Sequence, residues 1–248
     1  MVDIHIQVMS TLLDATAHAS REQTLLPRLA RGEQARYAGF GALARRQTWL
    51  AGRALMLAAL EQTLGAADPA ALLTEPHGGP RYAAADIQLN LSHSGGLLVA
   101  ALAPSPVGID VERPRERAVV QEAARIFCPE EAAALAAMPE HARLMRFYTL
   151  WTLKEAACKA AGLTVWDSLR RACFELEAGR CRVGPPFPPG PWGFLHAGLA
   201  PDWRLALAWQ GEAGVPRISC RRWQDGGWTS ETLLGPVFLH NGQRAALS

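Results

Sequence analysis

Residues 107–117, VGIDVERPRER, begin as a buried strand and turn abruptly to charge. Side chains alternate along a strand with period two, so Ile109 and Val111 point to one face while Asp110 and Glu112 point to the other. The segment therefore demands a sheet with one apolar face and one face that tolerates two neighbouring carboxylates. Like charges so placed repel each other, and a hard cation between them removes the repulsion, because paired carboxylate oxygens suit Mg²⁺. An edge strand with an acidic solvent face satisfies the same pattern, so the pair gains meaning only beside other segments.

The remaining chain reads as mixed helix and strand. The amino terminus, MVDIHIQVMS, alternates like a first strand and lacks the basic start and apolar centre of a signal peptide. SREQTLLPRLARGEQARYAGF reads as polar helix and loop. The segment 43–64, LARRQTWLAGRALMLAALEQTL, is a strong helix with Leu50, Ala54, Leu57 and Ala58 at helical spacing. Short strands are expected around Ile87–Leu91 and in LLVAALA. APSPVG then marks the best boundary, since its two prolines cannot donate ladder hydrogen bonds, and it divides the chain into an N-terminal half, 1–104, and a C-terminal half, 105–248. Helical stretches over 119–137 and 140–161 follow. Strand patterns return in DWRLALAWQ and PRISCRRW, and GPPFPPGP, 184–191, is an irregular connection.

At 248 residues and 49% apolar content the chain can bury a sizeable core, in one large domain or two. No apolar run approaches the length of a membrane span. A net charge of +2 does not require nucleic acid, although arginines cluster at Arg45–Arg46, Arg113–Arg117, Arg143–Arg146 and Arg170–Arg171, where they can attract an acidic partner. Five cysteines, odd in number, irregularly spaced and without a C-x-x-C pair, point to reduced thiols in the cytoplasm rather than a disulfide framework or a zinc site.

Two further segments carry chemistry. In NLSHSGG, Asn90–Gly96, a strand ends in small polar residues and glycine, whose hydroxyls, imidazole and amides can bind phosphate oxygens. In FYTLWTLKEAACKAAG, Phe147–Gly162, an angular step of about 100° per residue puts Leu144, Phe147, Tyr148, Trp151 and Cys158 on one stripe and Glu155 within it. Lys154 and Lys159 flank that stripe. A Glu155–Lys159 pair at i, i+4 explains the spacing but contributes only about 0.2–0.5 kcal/mol, and it does not explain a carboxylate among aromatics. Asp110, Glu112 and Glu155 as joint Mg²⁺ ligands, with the lysines facing phosphate, is the more economical reading.

These segments, in this order, resemble the surfactin-type 4′-phosphopantetheinyl transferase family. GIDVE (Gly108–Glu112) matches its G-x-D-x-E segment, WTLKEAACK (Trp151–Lys159) its W-x-x-K-E-A-x-x-K segment, and NLSHS (Asn90–Ser94) its N-x-S-H-S segment. RRQTWLAGRAL (Arg45–Leu55) is similar to its amino-terminal helix, and RIFCPEE (Arg125–Glu131) to a further weak segment. The resemblance implies an α+β fold of two similar halves related by a pseudo-twofold, each with a small antiparallel sheet and a long helix, and a coenzyme A site in the cleft between them. It implies transfer of the phosphopantetheine arm of coenzyme A to a serine of an apo acyl or peptidyl carrier protein, releasing adenosine 3′,5′-bisphosphate, by a cytoplasmic monomer that uses Mg²⁺ or Mn²⁺. It further implies that Asp110, Glu112 and Glu155 bind the metal, that Lys159 touches a phosphate, and that Ser92 and His93 contact coenzyme A. Arg53, then Arg46, would hold the 3′-phosphate, and Glu155 would take the serine proton directly or through water. Where the family has a G-K-P turn this chain has Gly78-Gly79-Pro80, and Arg81 is the candidate substitute for the missing lysine.

Two other functions use the same residues. A metal-dependent nucleotide pyrophosphate hydrolase would employ the same carboxylates with water as the acceptor. A non-catalytic carrier-protein-binding module would rely on the arginine patches alone. There is no G-x-x-x-x-G-K-[ST] phosphate loop and no G-x-S-x-G nucleophile turn.

Overall fold

The computed structural model describes residues 3–10, 15–76, 78–163, 169–170, 173–177, 180–183, 190–199, 202–211, 216–224, 227–234 and 246–247. Its helices are α1 (Ala15–Thr24), α2 (Arg31–Ala38), α3 (Leu43–Leu64), α4 (Val119–Ile126), α5 (Pro129–Ala137) and α6 (Glu140–Ala160). Its strands are β1 (Asp3–Ser10), β2 (Leu72–Thr74), β3 (Pro80–Tyr82), β4 (Gln88–Ser94), β5 (Leu97–Ala103), β6 (Val107–Glu112), β7 (Phe174–Glu177), β8 (Arg180–Val183), β9 (Trp192–Leu199), β10 (Trp203–Gln210), β11 (Arg217–Gln224), β12 (Gly227–Ser230) and β13 (Ala246–Leu247).

Period-two alternation assembles most of these strands into two packed sheets, each covered by helix on its outer face. The larger sheet runs β12-β11-β1-β5-β4, with β13 also paired to β11; a second runs β6-β10-β9, and β2-β3 and β7-β8 form two-stranded sheets. Ile4, Ile6 and Val8 of β1, Leu97, Val99 and Ala101 of β5, and Val107, Ile109 and Val111 of β6 share an apolar core with Leu195, Leu205 and Leu207 of the second sheet. The opposite face of β5, Leu98, Ala100 and Leu102, packs with Leu50, Leu57 and Leu60 of α3. Because both faces of β5 are covered, all seven of its residues are buried, and the strand reads in sequence as an unbroken apolar run. The outer face of the second sheet, with Phe194, Ala206 and Ala208, packs under Phe147, Leu153 and Ala157 of α6. The result is an α+β fold layered helix, sheet, sheet, helix.

The two halves repeat one connectivity. In the first, β1 is followed by α3 and then β4 and β5, with spatial order β1-β5-β4; in the second, β6 is followed by α6 and then β9 and β10, with order β6-β10-β9. The expected division near residue 104 falls between β5 and β6. It needs one amendment, because β11 pairs in parallel with β1, Ile4 opposite Ile218, and brings β12 with it. Residues 217–224 and 227–230 thus belong to the first sheet, where β11 covers the edge of β1 that β5 leaves open.

The long helix expected at 43–64 is α3, ended by Gly65 at φ 83°, whose N–H bonds Glu61 O at 2.8 Å. The stretch expected at 119–137 is two helices. Pro129 opens α5, and Cys128 before it is extended at ψ 156°, as a residue preceding proline must be. The cysteine expectation is corrected: Cys128 and Cys173 form a disulfide with Cα atoms 5.9 Å apart, while Cys158 and Cys220 are free and buried. What draws the pair together is Glu131 of α5, which accepts the Phe174 amide at 2.7 Å and so docks the start of β7 on α5. The proline-rich connection at 184–189 lies outside the described residues. Among the described residues no helix is long and apolar enough to cross a membrane.

Candidate active site

Gly108 is what lets the second half close. A Cβ there would lie 2.0 Å from Ala156 O and 2.5 Å from Ala160 N, so α6 rests directly on the backbone of β6. Two residues along the same strand face comes Asp110, and two further Glu112. The seated helix suspends Glu155 and Lys159 over them: Lys159 Nζ donates to Asp110 Oδ1 at 2.8 Å and to Ile109 O at 3.1 Å. Asp110 is buried, and its other oxygen, Oδ2, has no hydrogen-bond partner.

The electrostatics describe a site short of positive charge. Burial pushes the Glu155 carboxyl up to about 7; Lys159 opposes the rise, and Asp110 and Glu112 reinforce it. Burial likewise raises Glu112, with a hydrogen bond from Ser94 opposing and Asp110 adding repulsion. His93, on β4, is held below the ordinary imidazole range by desolvation first and then by the Lys159 charge, against which Asp110 acts.

An all-oxygen donor set, a buried carboxylate oxygen without a partner and mutually repelling acids fit a hard divalent cation. The three carboxylates do not converge as they stand. Among the described residues the group of possible ligands lying within 4.8 Å of one another is Cys128, Glu130 and Cys173, two of which are already joined as the disulfide.

NLSHS lies along β4 rather than at a turn. Only Gly95 and Gly96 turn, at φ 54° and 83°, the left-handed pair that a two-residue hairpin requires. Ser92 is buried, and its hydroxyl donates to Asp110 Oδ1 at 2.7 Å; Ser94 does the same to Glu112 Oε2 at 2.8 Å. Neither Ser94 nor Asn90 stands out as functional in the sequence by itself. Their alternation, matching that of Asp110 and Glu112, is the signal that pairs the two strands.

The basic residues divide. Lys154 does not face the site. It is 1% exposed, 2.9 Å from Glu131, and donates to Leu169 O at 2.8 Å, so it ties α6 to α5 from within the core. Glu131 is the partner that sequence reasoning missed. Arg53 is also buried: its guanidinium donates to Glu33 Oε2 at 2.6 and 3.0 Å, bonds Thr74, and lies 4.5 Å above the Trp49 ring. Its charge is met by Glu33, and its visible work is to join α2, α3 and β2. Arg46, half-buried, donates to Phe40 O at 2.7 Å and lies over Tyr37. Arg81 sits on the β2–β3 hairpin, about half exposed and 2.6 Å from Glu75. Of the arginines after β6, Arg113 covers Trp203 and Arg117 covers Phe147 and Tyr148. Tyr148 OH accepts the Arg115 amide at 3.1 Å, which pins that segment to α6.

Comparison with known proteins bears on this geometry. A family model described as the 4′-phosphopantetheinyl transferase superfamily matches residues 106–208, the span from β6 through α6 to β10. The 4′-phosphopantetheinyl transferase HetI of Nostoc sp. (strain PCC 7120) is 32% identical over 193 residues, covering 74% of this chain and 78% of its own. Psf-1 of Bacillus pumilus, also named a 4′-phosphopantetheinyl transferase, is 30% identical over 52% of this chain and 55% of its own. A 4′-phosphopantetheinyl transferase of Bacillus subtilis is 38% identical over 31% of this chain and 34% of its own. The chain thus spans from about a third to just over half the length of these last two relatives. With most of HetI matched and the Asp110, Glu112, Glu155 and Lys159 constellation assembled at one seam, the chain belongs to the surfactin-type 4′-phosphopantetheinyl transferase family.

Proposed function

We propose that this chain transfers the phosphopantetheine arm of coenzyme A to a serine hydroxyl of an apo acyl or peptidyl carrier protein. The serine oxygen forms a bond to the phosphorus that bears the pantetheine, the bridging phosphorus–oxygen bond breaks, and adenosine 3′,5′-bisphosphate leaves. The observation that carries the reading is the buried Asp110, bonded to Lys159 at 2.8 Å with its second oxygen unpartnered, beside a Glu155 pushed up to about 7.

Asp110, Glu112 and Glu155 would hold Mg²⁺ or Mn²⁺. The ion when bound supplies charge neutralisation to the pyrophosphate of coenzyme A. Lys159, held at the seam by its bond to Asp110 Oδ1 at 2.8 Å, has three ammonium donors and can offer one to a phosphate oxygen. Glu155 is suited to take the serine proton, because a carboxylate that titrates near neutrality accepts protons well at cellular pH. Glu155, which would also help hold the ion, takes that proton directly or through a water. His93, beside Lys159, faces outward for coenzyme A, with Arg46 and Arg81 as the anion-binding arginines. We read the working form as a cytoplasmic monomer, since one chain contributes both halves of the seam.

Intact-mass analysis of a panel of apo carriers incubated with coenzyme A and Mg²⁺ tests the reading. A phosphopantetheine adduct should form with the metal and vanish with a chelator. Consumption of coenzyme A without carrier modification would establish the hydrolase instead, and carrier binding without either reaction would establish the non-catalytic module.

A further inference from the structure

β4 and β6 are terminal strands of their respective sheets and share no backbone ladder, yet they lie side by side. Asn90, Ser92 and Ser94 alternate on the face of β4 turned toward β6, and they receive its backbone amides in register. Ile109 N donates to Asn90 Oδ1 at 3.0 Å, Val111 N to Ser92 Oγ at 3.4 Å, and Arg113 N to Ser94 Oγ at 3.2 Å. These are alternate amides, the set that an antiparallel strand turns away from its partner β10. Three side chains thus satisfy an edge that would otherwise bury unpaired donors.

The two hydroxyls also point onward. Ser92 donates a hydrogen bond to Asp110 Oδ1 and Ser94 to Glu112 Oε2, so one chain of hydrogen bonds, amide to hydroxyl to carboxylate, occurs twice at a spacing of two residues. A serine hydroxyl has one proton to donate. Ser92 spends it on Asp110 from a buried position, which leaves it no donor for coenzyme A.

We propose that Asn90, Ser92 and Ser94 are positioning residues, a side-chain comb that replaces a β-ladder between the two sheets and fixes the orientation of Asp110 and Glu112 toward a divalent cation. Ser92 acts through Asp110 rather than by touching coenzyme A. With Oδ1 held by Ser92 and Lys159, the unpartnered Oδ2 is the atom presented to the ion. The proposal rests on the transferase reading for its metal, and its test is separable from it.

The test uses the full chain as wild type, Ser92→Ala, Ser94→Ala and Ser94→Thr. Amide hydrogen exchange should accelerate at Val111 in Ser92→Ala and at Arg113 in Ser94→Ala, each without spreading to β10. Titration with Mn²⁺ alone, followed by the paramagnetic resonance of the free ion, should show affinity about tenfold weaker in both alanine variants, as for loss of a hydrogen bond to a charged group. Ser94→Thr, which keeps the hydroxyl and suits a strand, should restore it to within about twofold. Metal-free calorimetry should find coenzyme A affinity unchanged in Ser92→Ala. The proposal is overturned if exchange accelerates but Mn²⁺ affinity does not move, if Ser92→Ala weakens coenzyme A instead, or if the wild type takes up no Mn²⁺. A wild type that binds Mn²⁺, shows these shifts and modifies no carrier would overturn the transferase reading and leave the comb standing.

Discussion

Replacing Gly108 by alanine should disable the site without touching a charged residue. The new methyl would meet α6 backbone, Ala156 O at 2.0 Å and Ala160 N at 2.5 Å, and Lys159 Cβ at 3.0 Å. Backbone cannot swing aside as a side-chain tip can. Restoring ordinary contact at 3.4 Å requires the helix to lift by about 1.4 Å. That displacement carries Lys159 out of its 2.8 Å bond to Asp110 and moves Glu155 with it. A misplacement of about 1 Å at reacting groups can cost about 100-fold in rate, so transfer to an apo carrier, followed by intact mass, should fall at least that far. Overpacking of this kind costs roughly 1–3 kcal/mol; at about 2–4 °C per kcal/mol for a chain of this size, melting should drop by roughly 2–12 °C. Gly32→Ala is the control. A Cβ there meets nothing within 4 Å, and the residue lies in α2, where alanine is favoured over glycine by up to about 1 kcal/mol. Activity in Gly108→Ala within twofold of wild type, with an unchanged Tm, would refute the claim that this glycine sets the height of α6.

Glu155 should leave a signature in stability against pH. Its carboxyl is raised from an ordinary 4.5 to about 7 in the metal-free fold, so between those values the folded state keeps a proton that the unfolded state has shed. Stability therefore falls as pH rises through that window and levels off above 7. Glu155→Gln removes the effect, so its melting temperature in chelator should gain on wild type between pH 5 and 7.5; a difference independent of pH would contradict the assignment. Lys154→Met leaves Glu131 buried without its cation and should cost about 3–5 kcal/mol, recovered only in part by adding Glu131→Leu, which removes the acceptor of the buried Phe174 amide. Chemical denaturation reads this directly, and a selective rise in the KM for coenzyme A at unchanged stability would return Lys154 to the site. Arg81→Ala should weaken coenzyme A about tenfold by calorimetry with no change in Tm, since the side chain is about half exposed. Equal affinities would mean that Arg81 serves only Glu75.

Periodicity made some of this legible and hid the rest for identifiable reasons. The alternation in Val107–Glu112 placed Asp110 and Glu112 on one face, and the helical spacing of 43–64 located α3 with its buried Leu50 and Leu57. Glu155, expected within the aromatic stripe of α6, is half-buried at the seam, and Lys154 took the core position instead. A helical wheel orders the side chains around an axis but does not say which sector meets solvent; here Glu131, from a different helix, made a buried lysine tolerable. β9 gave little strand signal because Gly193 interrupts it. That glycine stands where a Cβ would lie 2.1 Å from the Trp209 ring, so the gap in the pattern is the space the tryptophan fills. Pairings between residues far apart in the chain, β11 on β1 and Cys128 with Cys173, follow from tertiary docking and have no local period to read.

The motif residues fall into two kinds once the layers are assembled. Asp110, Glu112, Glu155 and Lys159 carry charge at the seam. Three carboxylates against one ammonium leave an excess of negative charge in a half-buried place, which is why burial and mutual repulsion push Glu112 and Glu155 upward rather than down. Gly108, Asn90, Ser92 and Ser94 carry none, yet they hold the charges in place: the glycine by letting α6 approach, the others by closing the edge of β6. The spacing of G-x-D-x-E and N-x-S-H-S at every second residue is then one requirement seen from two strands. A carboxylate facing α6 at 110 or 112 is followed by an outward amide at 111 or 113, and each such amide needs an acceptor from β4 at the matching step. The two halves of the chain are thereby held in register by the same contacts that aim the acids, so a change in their docking is felt first at Asp110 and Glu112.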